Sequence, residues 1–287
     1  MRRVVVRLCL LLFTAALLAE TATAAGTATA PVCKDLALRH IQRLHPPGFA
    51  VYVEMRRKSD FLTWLQCEDL QLDLATAVHE SVHMLTEELD AYPLIDGRRV
   101  ARIGEDARLL PPGRVASQFD ARSTYVETYL MPGAASSAQH FGYLLDELNA
   151  YTHDLATAVA LRSIATPGLS ASHRDGLAAL MSFVAAYTQE ARRAHPPTWQ
   201  RLNAAPVRAT VGALWSQAER VMGRSCGIAD FGTEAPAFLA PVCRHDANSA
   251  LGQLLGRPPA CPVTCARPLS RASLASGGAR MPRRFSD

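Results

Sequence analysis

Five residues limit this chain more than any others: His79-Glu80-Ser81-Val82-His83. They fall within Cys67 to Asp90, where Leu74, Val78, Val82, Leu85 and Leu89 recur at helical spacing, so the stretch reads as one long amphipathic helix. Residues four apart on a helix lie on one face, one turn apart. Both imidazoles can therefore be aimed at a single metal ion, while the Glu80 carboxylate reaches a water beside it. Zinc suits such a set, because it takes two neutral nitrogens, usually one further protein ligand, and an open position. The two histidines follow Val78 and Val82 directly, about 100° around the helix. That puts them at the edge of the buried face, where a cleft can form. The plainer alternative is a pair of core-facing histidines satisfied by backbone or water.

A third ligand must come from elsewhere. Where one large class of zinc peptidases has its third His, this chain has Leu89, and Thr86 stands at that class's Gly position, which excludes the class. Glu87 and Asp90 share the side of His83 but sit about 12 and 16 Å along the axis from His79, too far for one ion. The best candidate is Glu147. Leu144, Leu148, Tyr151 and Leu155 form an apolar stripe that Glu147 borders as His79 borders Val78. A second helix packed antiparallel on the first could bring Glu147 to the metal. Asp146 and His153 are lesser ligand candidates. Tyr143 and Tyr151 lie one turn before and after Glu147, and either phenol could donate to an oxyanion during amide hydrolysis. Each also reads simply as an amphipathic core residue. Tyr125, Tyr129 and His140 are weaker candidates.

With these residues the chain resembles the zincin metallopeptidases, specifically the gluzincins, which take two His from H-E-x-x-H and a Glu from a following helix. The resemblance covers the motif helix, the Glu147 helix and a strand before them. It implies His79, His83 and Glu147 as zinc ligands and Glu80 as general base. In many gluzincins an Asp four residues after the Glu supports a ligand His. Here that position is Tyr151, and the next acid on the face is Asp154.

The ends and the cysteines point to export. Arg2, Arg3 and Arg7, an apolar run from Leu8 to Leu18 and the small residues Ala22-Thr23-Ala24 read as a signal peptide over 1–24. The apolar run is too short to span a bilayer. Losing three Arg and Glu20 lowers the formal charge of +4 by two, which argues for neither nucleic acid nor a membrane surface. Six cysteines remain, Cys33, Cys67, Cys226, Cys243, Cys261 and Cys265, and in an oxidising compartment they suggest disulfides. Cys33 with Cys67 is the preferred pair, and the other four would staple the C-terminal third. A zinc knuckle at Cys261-Pro-Val-Thr-Cys265 is the rival, without a matching pair nearby.

Helices are expected over Lys34–Leu44, Ala138–Ala165, Arg174–Arg193, Pro206–Met222 and Ala235–Leu255. Strands are expected at Phe49–Met55 and Ser123–Met131, and a hairpin around Asp96-Gly97, with Pro93 closing the motif helix. The fold class is mainly α (α+β) and zincin-like, with the active-site helix packed on a second ligand-bearing helix and a helical C-terminal part. One catalytic domain spans 31–257, within which a helical subdomain could begin at about 170. Pro258 to Asp287 reads as a Pro/Ser/Arg-rich tail, partly disordered. The function expected is an exported (secreted or periplasmic) zinc metallopeptidase acting on peptide or protein substrates. The alternative is a secreted metal-binding or disulfide-stapled helical binding protein without turnover.

Overall fold

A computed structural model describes residues 30–133, 136–166 and 172–266. The expected signal peptide and the tail from 267 onward lie outside the described residues. The architecture is mainly helical. In chain order it runs α1 (Ala30–Leu44), α2 (Pro46–Glu54), α3 (Lys58–Thr63), α4 (Leu70–Leu89), β1 (Ala91–Pro93), β2 (Arg99–Ala101), α5 (Thr124–Tyr129), α6 (Phe141–Ala160), α7 (His173–Ala194), α8 (Pro196–Asn203), α9 (Ala205–Ser225), α10 (Ala235–Val242) and α11 (Ala250–Leu255). None of these helices is long and apolar enough to cross a membrane.

The motif helix α4 starts at a built cap. The Asp69 carboxylate accepts from the Gln71 and Leu72 N–H groups at 2.9 and 3.1 Å, satisfying donors that have no partner inside the helix. It ends at Asp90, whose left-handed backbone (φ 46°) returns its N–H to the last turn. Pro93 does not end the helix; it lies in β1. The hairpin forms as expected around Asp96-Gly97, with Gly97 at φ 82°, but its first strand starts earlier and pairs Ala91 with Ala101 and Pro93 with Arg99.

Helices α4 and α6 pack antiparallel: Gln71 Nε2 donates to the Ala158 carbonyl at one end, and His83 meets Asp146 towards the other. This pair divides two cores. On one side Leu74, Ala77, Val78, Val82 and Leu85 of α4 pack on Ile41, Val51, Met55 and Phe61. On the other, Leu144, Leu145, Leu148 and Leu155 of α6 pack on Leu177, Leu180, Phe183 and Val184 of α7 and on Val211, Leu214 and Trp215 of α9.

Two expected strands are helices. Phe49–Met55 lies in α2 and its C-cap, because Pro46 and Pro47 occupy the first turn, where a missing N–H costs nothing. Val51 packs on the small core instead of pairing with a sheet, while Val53 stays exposed. Ser123–Met131 holds α5, which buries Val126 and Tyr129. The expected helix Ala235–Leu255 is broken into α10 and α11 by a turn at Arg244–Ser249. Disulfides join Cys33 to Cys67, Cys226 to Cys265 and Cys243 to Cys261. The last two exclude the zinc knuckle and anchor the chain as far as Cys265.

Candidate metal centre

The antiparallel pair brings His79, His83 and Glu147 together, with their ligand atoms all within 4.8 Å of one another. The two Nε2 atoms face each other at 3.2 Å, and Glu147 Oε2 stands 3.5 Å from His83 Nε2 and 3.8 Å from His79 Nε2. Four-coordinate zinc, with ligands at about 2.0–2.1 Å, requires ligand-to-ligand edges of roughly 3.4 Å. The triangle matches that size. Glu147 Oε2 is buried and has no hydrogen-bond partner among the described residues, which is costly for a carboxylate oxygen unless a cation or donor meets it. The donor set therefore fits a small tetrahedral cation.

His83 is oriented from behind. Its Nδ1 lies 2.7 Å from Asp146 Oδ2, which leaves Nε2 to face the other two ligand atoms. Asp146 is therefore not in the triangle; it holds His83 from the other ring nitrogen. Burial pulls the His83 imidazole down, but the carboxylates of Asp146 and Glu147 together outweigh it and raise it to about 10. His79 is pushed below its ordinary value by burial and then by the neighbouring His83. His153 is not in the cluster either. It is fully buried, its Nε2 meets the Pro93 carbonyl at 3.0 Å, and burial lowers it to about 4.

Glu80, one residue after His79, is half-buried and makes no ion pair among the described residues. His79 meets a group of phenols. Tyr151 packs edge-on against the His79 ring at 4.7 Å, and its hydroxyl meets that of Tyr129 at 2.8 Å. Glycine is required beneath it: a Cβ at Gly176 of α7 would stand 2.1 Å from Tyr151 Cε1. Burial holds the Tyr151 hydroxyl above its usual range, and Tyr129 adds to this. Tyr129 is also raised, first by burial and then by the charge of Glu147, with a smaller contribution from Glu80. Tyr143 points away from this group, under Arg102 (5.5 Å from its ring centre) and beside His140. Tyr129 was the weaker candidate from sequence; α5 carries it to the cluster, and no local spacing relates it to the motif.

No protein-family model matches this chain, and searches of curated proteins and of solved structures give no match. The likeness to gluzincins rests on the residues above alone.

Proposed function

We propose that the chain is an exported, zinc-dependent metallopeptidase. The observation that carries this reading is the triangle of two imidazole nitrogens and one buried carboxylate oxygen unpartnered among the described residues, with Glu80 next to His79 in the chain. His79, His83 and Glu147 would hold the ion, and Asp146 would keep His83 in the tautomer that presents Nε2. A bound zinc supplies a Lewis acid for the scissile carbonyl and lowers the pKa of water into the neutral range. The other steps belong to the protein. Glu80 accepts a proton from the attacking water and delivers it to the departing amine nitrogen, so the amide and one water become an acid and an amine. Of the two protons in the Tyr129–Tyr151 pair, one makes the bond between the hydroxyls. The second remains free to reach the carbonyl oxygen as charge develops there. Tyr151, locked between His79 and Gly176, is better placed to hold Tyr129 than to donate itself. The three disulfides agree with an oxidising compartment.

Separating Glu80 from Glu147 tests the reading. Glu80→Gln should keep zinc and fold while hydrolysis of a mixed peptide library falls by about 10²–10⁴-fold, the usual worth of a positioned base. Glu147→Ala should lose zinc affinity and hydrolysis together. Unchanged hydrolysis in Glu80→Gln would sink the mechanism. Full zinc and full activity in Glu147→Ala would move the third ligand elsewhere. A wild-type protein that binds zinc and hydrolyses nothing would leave the non-catalytic binding protein.

A further inference from the structure

Tyr143, Glu147 and Tyr151 are half-buried, four residues apart, and form the solvent-ward stripe of the first half of α6. At one end of this stripe Tyr151 leads to Tyr129. At the other, Tyr143 opens into a cleft of about 230 Å³ lined by Asp90, Arg102, Glu105, His140 and Gly142. The cluster of His79, His83 and Glu147 lies between the two ends.

Arg102 gives the cleft its chemistry. It is half-buried, with its guanidinium against the Tyr143 ring, and it forms no ion pair among the described residues. Asp90 and Glu105 line the same cleft but are exposed at its rim, where water screens them, and Glu105 approaches His140 (3.7 Å) rather than the arginine. The Tyr92 hydroxyl donates to the carbonyl of Gly142, a lining residue of the cleft, at 2.8 Å. A guanidinium 5.5 Å from a ring centre and without an ion-pair partner among the described residues can meet a carboxylate with two parallel hydrogen bonds.

Distance sets the register. Tyr143 and Glu147 are about 6 Å apart along the helix axis, and Arg102 lies one ring beyond. An extended peptide advances about 3.3–3.6 Å per residue. We propose that Arg102 receives a carboxylate of the substrate, either the chain end or an acidic side chain, two or three residues from the bond that is cut. This rests on the peptidase reading above.

Hydrolysis would be compared for one N-blocked peptide as free acid and as C-terminal amide, and for amide peptides with Glu or Gln at each of three positions beside the cleaved bond. The carboxylate should raise kcat/KM by about 10–100-fold, the scale of a hydrogen bond to a charged group, mostly through KM. Arg102→Ala should erase that preference, Arg102→Lys should keep part of it, and Arg102→Glu should turn it against the acid. A preference for the free acid alone assigns the chain end; one for Glu alone assigns the side chain. The same acid preference in wild type and Arg102→Ala, or none in wild type, overturns the proposal. Binding of the acid and amide peptides to Glu80→Gln, with and without Arg102→Ala, reads the site without turnover. Arg102-dependent binding with no hydrolysis by wild type would sink the peptidase reading and leave the carboxylate site standing. Hydrolysis that ignores both acid and Arg102 does the reverse.

Discussion

The α1–α3 layer and the α7–α11 body grip the same pair of helices by different means. The layer is thin: Ile41, Val51, Met55 and Phe61 supply much of its core, and one disulfide ties it to the approach of α4. Its buried polar groups are kept neutral. His45 is lowered by burial to about 4, and its Nε2 finds no partner. In the body, several buried polar groups are charged and partnered. His173 meets Asp154 at 2.6 Å, and Asp175 accepts from the N–H groups of Thr233, Glu234 and Ala235 to start α10. Two disulfides, one nested inside the other, close its end. The candidate centre lies where the two constructions meet. α4 is secured from the layer side and α6 from the body side, so the triangle depends on both being in place.

The largest expected effect separates the two through their disulfides. Cys33 and Cys67 are 34 residues apart, and Cys243 and Cys261 are 18 apart. Loop-closure entropy puts their worth at about 4 and about 3 kcal/mol. Replacing each pair by Ser should lower the urea midpoint in that order. Only the Cys33/Cys67 variant should also lose zinc affinity, because only that bridge ties down the start of α4. Equal loss of zinc in both variants would show that the layer has no special hold on the centre.

Acid sharpens the contrast. For His45 and His153 the folded pKa of about 4 lies below the ordinary 6.5. The unfolded chain therefore binds protons first as pH falls. Stability should be full above about pH 6.5 and fall towards pH 4, by up to about 3 kcal/mol for each histidine. His173 has the opposite sign. Burial lowers it, but Asp154 outweighs burial and raises it, so its contribution is present below the ordinary value and lost as pH rises through the raised one. Urea midpoints across pH, with chelator present to remove any effect of metal, should show the acid slope flattened in His153→Gln and kept in His173→Gln. The reverse pattern would refute the assignment.

The smallest effect probes how the body reaches the centre. Gly176→Ala drives a Cβ into the Tyr151 ring and should cost about 1–3 kcal/mol as overpacking. Hydrolysis should fall with it as Tyr151 shifts from His79 and Tyr129. Gly212 lies in α9 with nothing within 4 Å of its Cβ position, and Gly212→Ala should gain up to about 1 kcal/mol. Thermal midpoints and rates on both variants check this. A harmless Gly176→Ala would detach Tyr151 from the mechanism.

Much of this was legible along the chain because it is local. The 3.6-residue repeat marks α4, α6, α7 and α9, and a stripe with one acid at its edge was enough to single out Glu147. What was not legible is set by contacts between distant segments. Phe49–Met55 has strand composition, yet two prolines start a helix there and the small core absorbs its apolar face. Asp146 and Glu147 are consecutive, about 100° apart on their helix, and still address opposite nitrogens of one imidazole. That depends on how far His83 projects between them, which no spacing rule contains. Tyr129 reaches the centre on a helix of six residues, too short for its periodicity to stand out.

The disulfides also decide what a cut in the chain can do. Cys33–Cys67 closes one ring around α2 and α3, and Cys226–Cys265 closes another around α10 and α11. Hydrolysis of any single peptide bond inside either ring adds one water to the mass and frees no fragment. The nicked chain would migrate as an intact molecule until a reductant opens the sulfur bridge, and only then separate into two pieces.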